Sequence, residues 1–246
     1  MNYSNIATEV NDRLNNRYYS GENSQELFRA INRALRDINN GNIGNQSNRR
    51  RVGYDFQRES SNLSYIDGTE RYTLSTYITD TNAFKWLEDV LINSDENRKF
   101  TKRTANYFRR KRGVNNSQER MFAEEYLNGT KSVLIYHGET DTLNLIWYSN
   151  YMVLNGTTRQ EYFSNDADLN QQELLMPEEF SDAVIDLATS YLYLRDRNEQ
   201  TRSSVDYLSS GRQVLISMIN SIGRYEKKPA DSFNMNTGWG IYDGGK

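Results

Sequence analysis

Apolar residues recur every third or fourth position at both ends of the chain and every second position in its middle, so the pattern passes from helix to strand and back. Ile6, Val10 and Leu14 share one helical face, and after the polar loop Ser20-Gly21-Glu22 the positions Leu27, Ile31, Leu35 and Ile38 mark a second helix. Asn23 with Glu26 three residues on has the capping-box spacing, and Gly41 follows the last periodic residue. Residues 1–48 are thus predicted to form a helical hairpin. Arg29, Arg33 and Arg36 fall on the other side of its second helix and read as a solvated face.

From Arg49-Arg50-Arg51 onward the period becomes two, with Val52, Tyr54 and Phe56 alternating with Gly53, Asp55 and Gln57. Residues 63–74 place Asp67-Gly68 between two strand-like runs, which predicts a β-hairpin. Further strands are expected at 85–91, 121–127, 131–136 and 143–151, the last two flanking Gly138-Glu139-Thr140-Asp141 as a second hairpin. Phe100, Thr104 and Phe108 have helical spacing, so a short basic helix or an ordered loop near 98–113 interrupts the strands. Pro177, at a first helical position where its missing N–H costs nothing, then opens a helix with Phe180, Val184, Leu187, Tyr191 and Leu194 on one stripe. Val205, Leu208, Leu215, Ile219 and Ile222 mark the last helix, with Arg212 at the intervening stripe position and a stop at Gly223. Gly211 inside it costs about 1 kcal/mol relative to Ala, which a close helix approach would offset.

The expected fold class is α+β. Helical hairpins at 1–48 and 177–224 each have a single apolar stripe and bury it best against each other. An antiparallel, sandwich-like β-rich lobe spans 49–176, and 225–246 forms an extended aromatic arm.

Composition narrows the chemistry. The 246 residues are 36% hydrophobic, with a mean hydropathy of −0.87, yet 18 Tyr, 9 Phe and 3 Trp argue for a folded chain with polar surface that a partner covers. No apolar run is long enough for a membrane span, and the first residues lack the features of a signal peptide, so a soluble, cytoplasmically made protein is expected. Cysteine is absent and His137 is the single histidine, which removes thiol nucleophiles, disulfide frameworks and zinc centres. No cofactor is expected. With 29 Asn in the chain, Asn128-Gly129-Thr130 reads as a chance triplet.

His137 sits where a strand runs into a turn, without an orienting partner in sequence, and reads as structural. Asp166-Ala167-Asp168 begins like a calcium loop, but Gln171 and Pro177 stand where Gly and Glu are required. Glu124 and Glu125 are adjacent in a strand, so they face opposite sides and do not converge on a sugar bond. The net charge of −3 is unevenly distributed: Arg98, Lys99, Lys102, Arg103, Arg109, Arg110, Lys111 and Arg112 occur without an acid, while 160–194 holds acids and no Lys or Arg. The basic run, interleaved with Phe100, Tyr107 and Phe108, suits either contact with a neighbouring subunit or contact with DNA. Phe233, Met235, Trp239 and Tyr242 in the arm suit docking on another chain.

The element order, with 6–14 and 27–38 as a helix pair, Tyr65-Ile66-Asp67-Gly68-Thr69-Glu70-Arg71-Tyr72 as paired strands, and Pro177-Glu178-Glu179-Phe180 opening the C-terminal helices, resembles the head-to-tail adaptor proteins of tailed bacteriophages. The paired runs Ser132-Val133-Leu134-Ile135-Tyr136 and Leu143-Asn144-Leu145-Ile146-Trp147-Tyr148 add to the likeness, which is greatest to tail tubular protein A and gatekeeper-like ring subunits. The resemblance implies a non-enzymatic virion protein, assembled in the host cytoplasm and placed at the head–tail interface. It further implies a homo-oligomeric ring of twelve copies, bound to the portal and to the next tail ring or nozzle protein. Viral DNA would pass through its lumen at ejection without sequence-specific contact, and no membrane would be involved. Two rival readings remain at this point. One is a cell-wall glycosidase using acids among Glu119, Glu124, Glu125 and Asp141; the other is a DNA-binding module using the basic run.

Overall fold

The computed structural model describes residues 1–15, 24–42, 51–111, 120–197 and 202–226. Helices α1 (Tyr3–Arg13) and α2 (Ser24–Asn39) precede β1 (Val52–Tyr54), a 3-10 turn at Asp55–Gln57, β2 (Arg58–Tyr65) and β3 (Arg71–Thr73). Strands β4 (Phe84–Ile92), β5 (Asp95–Lys99) and β6 (Thr101–Lys102) lead to α3 (Ala105–Lys111). Next come β7 (Met121–Leu127), β8 (Thr130–Tyr136), β9 (Asp141–Ser149), β10 (Val153–Asn155), β11 (Thr158–Gln160) and β12 (Glu173–Leu174). Helices α4 (Ser181–Arg197) and α5 (Arg202–Ile222) and strand β13 (Gly223–Tyr225) complete the described elements. The chain is α+β, as its patterning predicts.

The chain divides into two units. The first takes 1–59, 83–85 and 148–226, so it holds α1, α2, α4 and α5 with residues 148–176. At its centre lies α4, which packs against α1, α2 and α5. Because it has neighbours on several sides, its burial is not confined to one stripe: Ala183, Val184, Ile185, Leu187, Ala188, Thr189, Ser190 and Leu192 are all buried. Ile6, Val10, Ile31, Ala34, Leu35 and Ile38 close the core from α1 and α2. Asn2 caps α1, its side-chain oxygen accepting the N–H of Asn5 at 3.0 Å. Asn23 lies outside the described residues, and Glu26 pairs with Arg195 of α4.

Two helical expectations shift. Pro177 caps a 3-10 turn at Glu178–Phe180 that feeds α4, rather than occupying the first position of the helix. On α5 the buried seam runs through Ser204, Gly211, Leu215 and Met218 as well as Ile219, and Val205 is left 46% exposed. The reason is Gly211. A Cβ there would stand 3.0 Å from Leu187 Cγ and 3.1 Å from the Leu187 backbone N, so the close approach of α5 to α4 is centred on this glycine and rotates the seam away from Val205. After Gly223, β13 pairs antiparallel with β1, and the Glu226 N–H donates to the Arg51 carbonyl at 3.0 Å. Tyr225, expected in the irregular arm, is therefore part of a strand. Strands β11, β10 and β12 form a separate small sheet.

Among described residues the second unit takes 60–82, 86–111 and 120–147. It is built on two four-stranded sheets, ordered β2-β9-β4-β5 and β3-β8-β7-β6, the pair β6-β7 being parallel. Neither expected hairpin forms: β2 and β3 lie in different sheets, and so do β8 and β9. Five residues separate β2 from β3, enough to cross between sheets, and the Tyr72 hydroxyl holds the crossing by accepting the Ile66 N–H at 2.9 Å. The tight hairpins lie elsewhere. Asn128 (φ 51°) and Gly129 (φ 78°) join β7 to β8, and Asn93 (φ 50°) and Ser94 (φ 61°) join β4 to β5. Both dipeptides have the paired positive φ of the turn that matches strand twist.

Candidate functional site

The basic run extends from β5 through α3. Phe100 is buried, its ring centroid 5.4 Å from that of His137. Strand β6 then pairs in parallel with β7, and the Arg103 N–H donates to the Phe122 carbonyl at 2.8 Å. Thr104 starts α3 by accepting the Tyr107 N–H at its hydroxyl, 3.1 Å away. Phe108 fixes the helix to one face of the sheet, in a cluster with Met121, Ala123 and Leu134.

Three of the eight cations are built into the fold. Lys102 Nζ donates to Glu124 Oε1 at 2.6 Å and to the Leu87 carbonyl at 2.9 Å, and Glu124 Oε1 also accepts the Leu87 N–H, so this pair ties β6 and β7 to β4 of the other sheet. Arg109 and Arg71 both pair with Glu125, whose side chain is only 5% exposed on the α3 side of β7. Arg103 lies 4.7 Å over the Tyr107 ring. Arg98 is half-buried, while Lys99 and Arg110 are exposed. The Lys111 side chain and Arg112 lie outside the described structure. A pocket of about 500 Å³ opens beside α3, lined by Gly68, Thr69, Glu70, Arg71, Phe108, Arg109 and Leu134.

The carboxylates considered for glycoside hydrolysis do not converge. Glu124 and Glu125 occupy opposite faces of β7, each held by cations, and Asp141 Oδ2 lies 3.7 Å from His137 Nε2. Glu119 is outside the described residues. His137 is buried between Tyr65 and Phe100, and the Tyr65 hydroxyl donates to its carbonyl at 2.7 Å. Its surroundings fit a packing role.

Among the acids of 160–194, Asp186 is buried and takes Arg13 and the Ser210 hydroxyl, the latter at 2.6 Å. Glu173, Glu178 and Glu179 are exposed. Asp166 accepts from Ser164 Oγ (2.5 Å), Gln172 Nε2 (2.8 Å) and the Asp168 N–H (3.1 Å), and these hydrogen bonds, that from Ser164 first, hold its carboxyl below the usual range. The loop that starts like a calcium site is satisfied by its own donors. Among the described residues no cluster of acids or histidine suits a metal ion, and no helix is long and apolar enough to cross a membrane.

Two arrangements had no counterpart among the expected sites. Lys85 Nζ donates to the Asn39 carbonyl (2.8 Å), the Val52 carbonyl (3.0 Å) and Gln57 Oε1 (3.0 Å), joining the end of α2 to β1 and the following turn. Burial pushes this amine down to about 7. The signal was a single cation inside the apolar run Phe84-Lys85-Trp86-Leu87. On α2, Arg33 lies 4.2 Å over the Tyr191 ring and Arg36 lies 5.5 Å over Tyr162, so the solvated arginine face is organised by aromatics.

The arm residues Phe233, Met235, Trp239 and Tyr242 lie outside the described structure. No match is found among curated proteins. The family model of the SU10 adaptor protein matches residues 1–228, which takes in all the elements above. With both units inside that match, the chain belongs to the SU10 adaptor protein family and is a structural phage adaptor, a virion component that contacts other phage proteins.

Proposed function

We propose that the chain is a head-to-tail connector: a ring subunit, present in twelve copies, that joins the portal to the next tail ring or nozzle protein and lines part of the channel for viral DNA. The observation that carries this reading is the family match over residues 1–228. The absence of convergent acids among the described candidates leaves the glycosidase reading without geometric support.

In this reading Lys99 and Arg110 of the basic segment, with Lys111 and Arg112, face an acidic surface of a neighbouring copy, such as that bearing Glu173, Glu178 and Glu179. Lys102, Arg103 and Arg109 are already engaged within their own chain. Charges at such a rim set register more than affinity. The segment beyond Glu226 carries Phe233, Met235, Trp239 and Tyr242 to the portal. Its start is fixed by the β1–β13 pairing.

Mixing the purified chain with portal protein from the same phage and imaging the complex by cryo-electron microscopy tests the proposal. A ring of this chain seated on the portal is the expected result. A chain that stays unbound to portal over a range of concentration and salt overturns it.

A further inference from the structure

The β7–β8 hairpin carries the most exposed large apolar side chain among the described residues: Tyr126 is 70% exposed, and Leu127 beside it 45%. The turn Asn128-Gly129 has paired positive φ and joins the two strands without slack. Lys131, directly opposite Tyr126, donates from Nζ to the Thr81 carbonyl at 2.7 Å. The hairpin is thus braced on both strands and presents a phenol to solvent.

The pocket beside α3 lies on the other face of the same sheet. Arg71 is opposite Leu134, Leu134 opposite Ala123, and Glu125 two residues further along β7, so Arg71, Leu134 and Glu125 share the face on which α3 packs. Tyr126, one residue on from Glu125, points to the opposite face. Phe108 and Leu134 give the pocket apolar walls, and Arg71 and Arg109, both paired with buried Glu125, line it as well. Glu70 completes the charged lining. Two cations against Glu70 and Glu125 leave that lining without net charge, which suits a neutral ring bearing a hydroxyl better than a carboxylate or a phosphate. Guanidiniums already held by a carboxylate pack against an aromatic ring with little loss of side-chain freedom, and Glu70 supplies an acceptor for a phenol. Ile66, 60% exposed, stands two residues before Gly68 on the segment that lines the pocket.

We propose that Tyr126 of one copy enters the α3 pocket of the next. Because hairpin and pocket lie on opposite faces of one sheet, a copy does not fill its own pocket, and the contact is heterologous: each copy gives a hairpin to one neighbour and receives one from the other. Contacts of that kind close into rings when the rotation allows, so the inference names an interface for the ring subunit proposed above and rests on that reading.

The test is sedimentation and crosslinking of the full chain, alone and with portal. Tyr126→Ser and Thr69→Trp, the second placing an indole at the pocket, should each weaken self-association at least about tenfold with an unchanged circular dichroism spectrum, and the double variant should lose no more than the weaker single variant. The chain has no cysteine, so Y126C and T69C report the contact directly. A short bismaleimide should join the two variants when mixed, join neither to itself, and carry Y126C/T69C into a ladder of multimers. Self-association of Y126S equal to that of the parent, a cysteine double variant that stops at dimers, or linkage of Y126C to itself overturns the proposal. Weakening by Thr69→Trp alone assigns the pocket to another occupant and also overturns it. A parent that stays monomeric alone and with portal overturns the ring reading and this contact with it, whereas a parent that multimerises no better than Y126S sinks this contact alone.

Discussion

Replacing Lys85 by Met removes one buried cation and, with it, a defined part of the dependence of stability on pH. The amine is pushed from its ordinary value of 10.5 down to about 7, chiefly by burial, with Glu161 acting the other way. In the unfolded chain it titrates near its ordinary value, so between about pH 7 and 10.5 the unfolded state holds one more proton than the folded state. Stability from this group therefore rises with pH across that window, by at most about 1.4 kcal/mol per unit. Below pH 7 both states are protonated, and the burial penalty applies in full. Integrated from pH 7 to 9, the gain is about 2 kcal/mol. The absolute effect of Lys85→Met mixes two opposed contributions: relief of that penalty, and loss of donors to Asn39, Val52 and Gln57 at about 1–3 kcal/mol for each acceptor left unsatisfied. The slope is cleaner. Urea unfolding followed by circular dichroism at pH 7, 8 and 9 should show the parent gaining about 2 kcal/mol relative to the variant, with Lys85→Gln serving as a second variant if the first does not fold. Parallel pH profiles would refute the argument that Lys85 is buried with a depressed pKa.

Other substitutions test separate contacts. Gly211→Ala gains about 1 kcal/mol of helix propensity but drives a methyl against the Leu187 backbone, so thermal melts should show net destabilisation of about 1 kcal/mol. Tyr54→Phe removes one of two donors to the Ile38 carbonyl, which keeps the Gly41 N–H at 2.9 Å, and should cost about 1 kcal/mol in denaturant unfolding. Gly129→Ala puts a Cβ at φ 78° in open space, and the strain alone should lower stability by about 1–2 kcal/mol. Deleting residues 229–246 should leave a folded chain, judged by circular dichroism, that no longer copurifies with portal; retained copurification would make the arm dispensable.

The helices were legible because each has an apolar face that the core must cover, and Ile6, Val10, Ile31 and Leu35 are fully buried as their spacing requires. The extents of β4, β7, β8 and β9 were legible for the same reason, whereas the short strands β5, β6 and β10–β12 were not, and the alternating run 52–57 gives way to a 3-10 turn at Asp55–Gln57. Strand partners were not legible. Asp67-Gly68 and Gly138-Glu139 bend the backbone as turn residues do, but a bend does not decide whether the flanking strands hydrogen-bond to each other or enter different sheets. Loop length carried the missing information. Asn128-Gly129 links β7 to β8 with nothing intervening, which leaves pairing as the short solution, whereas five residues precede β3 and allow it to cross.

Charge was the least legible property, because a row of Lys and Arg says nothing about what lies beneath it. The segment 98–112 has the highest basic density in the chain, and its placement across β6 and α3 brings Lys102 and Arg109 onto Glu124 and Glu125, which a strand necessarily points to opposite faces. Two glutamates adjacent in sequence thus hold Lys102 on one face of the strand and Arg109 with Arg71 on the other. The α2 arginines are fewer and more widely spaced, and two of them lie over tyrosine rings whose hydroxyls donate to Asp37 and Glu161, carboxylates that keep their negative charge beside the guanidiniums. Positive potential available to a partner depends on the cations left over once the carboxylates folded against them are counted, and in 98–112 two glutamates stand against eight cations.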